Sequence, residues 1–266
     1  VMGKRMPAFE TLTLDITDRI ARITLNRPDA ANAMNLALAT DLARAALICD
    51  SDKTVKAVLI TGNGKMFSAG GDLKSFATFG DETRLKIKQV ADELHKAIST
   101  FARMTPVVII AVNGTAAGAG FSLAMIGDIV IAAESAKFTM AYTAGGLSPD
   151  GSSTYYMPRL IGMRRTQELM LTNRVLSARE ACDWGVVTSV VPDAELQASA
   201  MALAQKFADG PLHANGVVKK LLLCTLGNSL EEQMELEGRE IANTTTTDDA
   251  REGIAAFLAK RKPAFK

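Results

Sequence analysis

Two short runs of small residues stand where a chain could hold a developing negative charge. One is Phe67-Ser68-Ala69-Gly70-Gly71-Asp72 and the other is Ala117-Gly118-Ala119-Gly120. Small residues at strand-to-helix turns let a ligand approach the main chain, and free N–H groups at a helix start favour negative charge. Two such amides on adjacent turns can hold one developing oxyanion. Competing motifs fail on spacing. A dinucleotide fingerprint needs a third glycine where Leu123 stands, and a phosphate-binding loop needs Ser or Thr where Met66 follows Gly64-Lys65. Gly120-Phe121-Ser122-Leu123-Ala124 lacks the last glycine of a nucleophile elbow, so Ser122 reads as a helix-surface or pocket hydroxyl. The two histidines, His95 and His213, stand alone, and no metal site is expected. An acid is available at Asp150, in Gly146-Leu147-Ser148-Pro149-Asp150-Gly151. Taken alone, Asp150 reads as a cap for a helix starting near Ser152, and His95 as a residue on a helix face.

The elements around these residues follow from periodicity. Alternation at 11–17 and 21–25 around Asp18-Arg19 predicts two antiparallel strands with a tight turn. Asn35 can cap a helix running to about residue 47. Strands are expected at 55–61, at 107–112 after Pro106, and in D-I-V-I-A-A at 128–133. Between them fall a Gly-rich loop through Gly71, a charged helix at about 81–103 and a short helix at about 119–126. Strand, loop and helix recur three times with a period of roughly 45 residues, a pattern of α/β layering. After Pro192 the segments 194–208, 211–226, 229–244 and 248–260 are all helical in pattern. The expected division is an α/β core carrying the site over 1–196 and a helical oligomerisation region over 197–266.

Composition bounds the class. The chain has 266 residues, 48% apolar and 22% charged, which supports a large core rather than disorder. Thirty Lys+Arg against 29 Asp+Glu leave a net charge of +1. No nucleic-acid or membrane partner is expected from that balance. The apolar stretch 107–112 is far too short to span a bilayer. The opening V-M-G-K-R carries no secretory signal. Cys49, Cys182 and Cys224 are isolated and lack metal or redox spacing, so a reducing, cytoplasmic location is expected.

Several motifs, in order, resemble one family. L-N-R-P-D-A-A-N-A at 25–33, M-F-S-A-G-G-D at 66–72, A-V-N-G-T-A-A-G-A-G at 111–120 and F-L-A-K-R-K-P-A-F at 257–265 are similar to the crotonase superfamily, which includes enoyl-CoA hydratases and isomerases. The resemblance implies a spiral of ββα repeats with a C-terminal helical region, assembled as a homotrimer or a dimer of trimers. It implies acyl-CoA thioester substrates, with coenzyme A entering as part of the substrate and no covalently bound cofactor. It places the oxyanion amides on Gly71 and Ala119, with Ala69, Gly70, Asp72, Gly118 and Tyr142 about the substrate. It matches Arg27 to a position meeting the CoA phosphates, and Phe257 and Lys260 to residues reaching a neighbouring subunit's CoA. The glutamates that hydratases carry fall on Ser122 and Tyr142. Hydration needs one group to activate water and one to protonate carbon, so an isomerase is favoured over a hydratase. The G-L-x-P-D pattern resembles ring-enoyl-CoA isomerases of phenylacetate degradation, with the proton-transfer aspartate at Asp150. It also resembles chlorobenzoyl-CoA dehalogenase, with a nucleophilic Asp150 and its histidine at His95. A non-catalytic CoA-binding module is the remaining alternative.

Overall fold

A computed structural model describes residues 8–265. β1 (Leu12–Thr17) and β2 (Ile20–Leu25) pair antiparallel about Asp18 and Arg19. Both turn residues have positive φ, 51° and 68°, the turn whose twist matches its flanking strands. α1 (Leu36–Ser51) begins where Asn35 accepts a hydrogen bond from the Leu38 N–H, as the capping signal predicts.

Three turns of one motif follow. β3 (Ala57–Gly62) and β4 (Met66–Ser68) lead into α2 (Leu73–Phe76) and α3 (Thr83–Arg103). β5 (Val107–Val112) and β6 (Thr115–Ala117) lead into α4 (Ala119–Ala124), and β7 (Ile129–Ala133) and β8 (Lys137–Thr139) into α5 (Ser153–Thr172). β9 (Leu176–Ser177), α6 (Ala178–Asp183) and β10 (Ser189–Val191) complete the layers. In each turn the first strand joins a six-stranded sheet ordered β1-β2-β3-β5-β7-β10, parallel from β2 onward. The second joins a four-stranded sheet ordered β4-β6-β8-β9. β5 is buried at every position, which is why it reads as an unbroken apolar run rather than an alternation. The ββα spiral is therefore present, with two corrections. The small sheet lies in segments that the sequence pattern leaves as loop and turn, because three-residue strands are too short to display alternation. The period is also uneven: strands of the large sheet begin at Ile20, Ala57, Val107 and Ile129, since α3 has 21 residues and α4 only six.

Four helices close the chain, at the positions expected after Pro192: α7 (Leu196–Ala208), α8 (Leu212–Cys224), α9 (Leu230–Thr244) and α10 (Asp248–Leu258). α7 buries Leu196, Ala200, Ala204 and Ala208 and covers β3 and β5 of the large sheet. α8 is fastened to the core by its backbone and one charge. A Cβ on Gly216 would fall 2.5 Å from Thr105 Cγ2, so the helix lies directly on that loop. The buried Lys219 ammonium donates to Pro106 O (2.7 Å) and Phe101 O (3.2 Å) and meets Asp128 Oδ2 at 2.7 Å. α9 buries none of its residues, and Phe257 of α10 is 82% exposed.

Candidate active site

The first motif segment laces the second into place. Asn32, fully buried, donates from Nδ2 to Asn63 O (2.9 Å) and Met66 O (3.0 Å) while its Oδ1 accepts from the Arg27 N–H (2.8 Å). Ser68 Oγ donates back to Asn32 O at 2.8 Å, and the Ala69 N–H donates to Ala31 O at 2.9 Å. Gly71 forms a parallel bridge with Met34, in which the Met34 N–H donates to Gly70 O and the Asp72 N–H to Met34 O. That pattern fixes Gly71 while leaving its own N–H without an acceptor among the described residues.

The two small-residue turns touch main chain to main chain. Gly70 has φ +93°, and a Cβ there would fall 2.8 Å from Ala117 O; Gly118 has φ +48°. Both the open conformation and the close approach require glycine. Gly118 precedes α4, so Ala119 is its first residue and its N–H has no acceptor within the helix. Gly71 and Ala119 line one cavity of about 560 Å3, with Ala69, Gly70, Gly118, Tyr142 and Asp150 in the same wall. Leu73, Phe76, Val90, Leu94 and Leu147 make the remainder largely apolar, and Arg84 and Lys88 are its cationic residues. Two unpaired amides in an apolar cavity suit a carbonyl oxygen that gains charge.

Asp150 reaches this cavity by a device that the sequence does not display. Its carboxylate does not cap α5: Oδ1 lies 2.8 Å from His95 Nε2, and Ser152 at the helix start makes no side-chain cap. The capping reading of Asp150 is corrected by this contact, whereas His95 does stand on an exposed face of α3 and reaches Asp150 from there. The main-chain carbonyl of Asp150 is held instead. It accepts from Ser122 Oγ (2.8 Å), Ser153 Oγ (2.9 Å) and Tyr142 Oη (3.2 Å), and Ser122 Oγ stands 3.0 Å from Tyr142 Oη. Ser122 is fully buried, not on a helix surface. A Cβ on Gly151, at φ +64°, would fall 2.8 Å from Ser122 Cβ, so the two segments are in direct contact. Burial pushes the Tyr142 phenol up to about 12, despite the Ser122 hydroxyl beside it. At neutral pH Tyr142 is therefore a neutral hydrogen-bonding group and not a base.

Other expected site residues fall elsewhere. Arg27 commits its guanidinium within the protein, Nη1 to Ala33 O and Nη2 to Asp72 Oδ2 at 3.0 Å. It holds the loop that carries Gly71, and it does not line the cavity. Asp72 starts α2 by accepting from the Ser75 N–H at 3.1 Å. Phe257 and Lys260 lie exposed at the end of the chain, outside the cavity lining. Asn32 and Ser153 carry structural duties that sequence reasoning missed. Asn32 stands inside a quoted motif, but nothing in its spacing says where its amide points.

Asp72 gives a pH prediction. Burial alone would raise its carboxyl, but the Ser75 N–H and the Arg27 guanidinium hold it below the usual carboxylate range. A carboxyl lowered in the folded state adds stability that is fully present above its unfolded pKa and disappears as pH falls through the folded one. Asp72→Asn is therefore expected to lower Tm at pH 7 and to narrow its difference from the parent as the buffer approaches pH 3. Melting curves between pH 7 and 3 check this, and a constant difference would contradict it.

Comparison with known proteins is consistent along the whole chain. A family profile described as Enoyl-CoA hydratase/isomerase matches residues 15–266. The 1,2-epoxyphenylacetyl-CoA isomerase of Escherichia coli is 38% identical over 259 residues, covering 97% of this chain and 98% of that protein. The 4-chlorobenzoyl coenzyme A dehalogenase-2 of an Arthrobacter species is 32% identical over 250 residues, covering 94% and 91%. Among solved structures, an enoyl-CoA hydratase from Bacillus anthracis superposes with a TM-score of 0.91 at 32% identity, covering 97% of this chain and 99% of that one. One from Polaromonas sp. JS666 gives 0.92 at 30% identity, covering 96% and 99%. No helix among the described residues is long and apolar enough to cross a membrane.

Proposed function

Because the chain belongs to the enoyl-CoA hydratase/isomerase family, we propose that it moves the double bond of an enoyl-CoA thioester between carbons 3 and 2. The thioester oxygen sits between the N–H groups of Gly71 and Ala119. Asp150 takes a proton from carbon 2, the C–H electron pair passes into the enolate, and the two amides hold the resulting negative oxygen. Collapse of the enolate forms the 2,3 double bond while carbon 4 receives the proton from Asp150. Coenzyme A is part of the substrate and no resident cofactor takes part. The observation that carries this reading is that one carboxylate and two acceptor-less amides line the same apolar cavity. One carboxylate suffices for such a shuttle, whereas the positions that the resemblance assigns to hydratase glutamates hold the hydroxyls of Ser122 and Tyr142.

The direct test supplies purified protein with 3-enoyl-CoA and 2-enoyl-CoA. Isomerisation lost on Asp150→Asn supports the reading; water addition that survives this substitution, without isomerisation, removes it. The 2.8 Å contact between His95 and Asp150 favours a second reading, dehalogenase-like hydrolysis. There Asp150 attacks an aryl-CoA, halide leaves, and His95 activates water against the aryl ester. Chloride release from a halogenated benzoyl-CoA, with a transient mass increase on Asp150, distinguishes it.

The hydroxyls around the Asp150 carbonyl orient the base. Each hydrogen bond is worth about 1 kcal/mol, and about 1.4 kcal/mol is tenfold in rate. Ser122→Ala and Tyr142→Phe are each expected to lower kcat about fivefold with little change in KM. Steady-state kinetics on the two single variants check this; unchanged kcat in both would show that the hydroxyls do not orient the base. The exposed apolar side chains Leu222, Leu226, Leu230 and Ile241 on α8, α9 and their connection, together with Phe257, support assembly as a homotrimer or dimer of trimers, measurable by light scattering.

A further inference from the structure

The hydrogen bond between Asp150 and His95 joins two cavities. Asp150 lines the 560 Å3 cavity that contains the two free amides, and His95 is absent from that lining. His95 lines a separate hollow of about 370 Å3 with Ser99, Arg103, Ser152, Tyr155 and Tyr156, from which Asp150 is absent. Nε2 and Oδ1 are 2.8 Å apart; the imidazole is 48% exposed, and the Asp150 side chain, 39% exposed, lines the cavity that the acyl group is proposed to fill. His95 also borders a groove between α1 and α3, beside Asp92, Lys96 and Ser99. One end of the pair thus faces the reacting acyl group, and the other faces water by a route that the acyl group does not fill.

That placement bears on the fate of the transferred proton, and so rests on the isomerase reading above. An acyl group in the first cavity displaces water from the substrate side of Asp150, and a lone carboxylic acid there would return to the substrate the same proton it removed. An imidazole both accepts and releases protons near neutral pH. We infer that His95 is a proton port, through which the hydrogen taken by Asp150 exchanges with solvent while the acyl group stays bound. Asp150 passes the proton to Nε2, and the imidazolium so formed loses one proton to water in the outer hollow. The ring then takes one proton from water and Nε2 returns one to Asp150. One proton leaves and one enters, so the charge and the double-bond shift are unaltered.

The test is isotopic. 3-Enoyl-CoA is isomerised in D2O to low conversion, and deuterium at carbon 4 of the product is measured by mass spectrometry and NMR. The parent protein is expected to place solvent deuterium there in most turnovers. His95→Gln, which can hold the carboxylate but cannot carry its proton, is expected to incorporate about tenfold less per product molecule. His95→Phe is expected to change in the same direction, with circular dichroism and Tm confirming that both variants fold. The readout, deuterium per product molecule, is set by exchange of the proton held on Asp150 against its return to carbon. A role for His95 in merely orienting Asp150 would slow that return, lower kcat and leave this ratio unchanged or raised, never lowered. Equal incorporation by the parent and His95→Gln, or none by the parent, overturns the port and leaves the isomerase reading standing. A parent protein that shifts no double bond overturns that reading, and the port with it.

Discussion

Asp150→Asn is expected to lower turnover of 3-enoyl-CoA by about a hundredfold to ten-thousandfold, the usual contribution of a positioned acid–base group. KM for the thioester is expected to stay within a few-fold of the parent, since the groups proposed to hold the carbonyl are main-chain amides that the change does not touch. The substitution is a clean probe for a structural reason. The hydroxyls of Ser122, Ser153 and Tyr142 grip the carbonyl of residue 150, not its carboxylate, so the backbone stays fixed when the side chain becomes an amide. An asparagine can also keep a hydrogen bond to His95 Nε2, which the parent carboxylate approaches at 2.8 Å. A large fall in kcat with unchanged Tm therefore reports lost proton transfer rather than lost structure. Turnover retained within a few-fold would remove Asp150 from the chemistry. In that case His95, which touches Asp150 directly, becomes the residue to examine next.

The second large effect is on stability and lies far from the chemistry. Asp128→Asn is expected to destabilise the protein by about 3 kcal/mol, at the low end of the range for breaking a buried ion pair. The partners are unequal: the Lys219 side chain is 6% exposed and that of Asp128 is 26%. Burial pulls the Lys219 ammonium below its usual range, and Asp128 is the main charge that opposes this, with Asp50 adding a smaller opposing effect. Without the Asp128 charge the ammonium is left, among the described residues, with the Pro106 and Phe101 carbonyls as its hydrogen-bond acceptors. In a chain of this size the loss corresponds to about 10 °C in Tm. Adding Lys219→Met to Asp128→Asn removes the uncompensated charge and is expected to recover part of that loss. Calorimetry on both variants and the parent gives the comparison. A double variant no more stable than Asp128→Asn would mean that packing of α8 against Thr105, rather than the charge pair, holds the helix.

Legibility from sequence varied with the range of the interaction responsible. The hairpin at Asp18-Arg19, the Asn35 cap and the four late helices could be read directly, since each depends on a few consecutive residues. The apolar run 107–112 named a strand buried on both faces for the same reason. The strands β4, β6 and β8 were not legible, because pairing with one another, and not any internal pattern, makes them strands. Arg27 shows the limit of a matched position. The matched position names a phosphate-binding fork but not its contacts within the protein, where it closes on Asp72 and Ala33 and thereby secures the loop that carries Gly71.

Read as a string, the chain specifies its α/β layering, two glycine turns able to expose main-chain amides, and one aspartate set in a turn. Those properties follow from backbone sterics and from periodicity over neighbouring residues. Folding adds the directions. It sets Gly70 against Ala117, so that both amides open on one cavity, and it turns the Asp150 carboxylate to His95, 55 residues earlier, instead of to the helix that follows. Ser122, Ser153 and Tyr142 achieve this by taking the aspartate's carbonyl. A side chain's heading depends on which distant segments compete for its hydrogen bonds, and that competition arises only once the layers have packed.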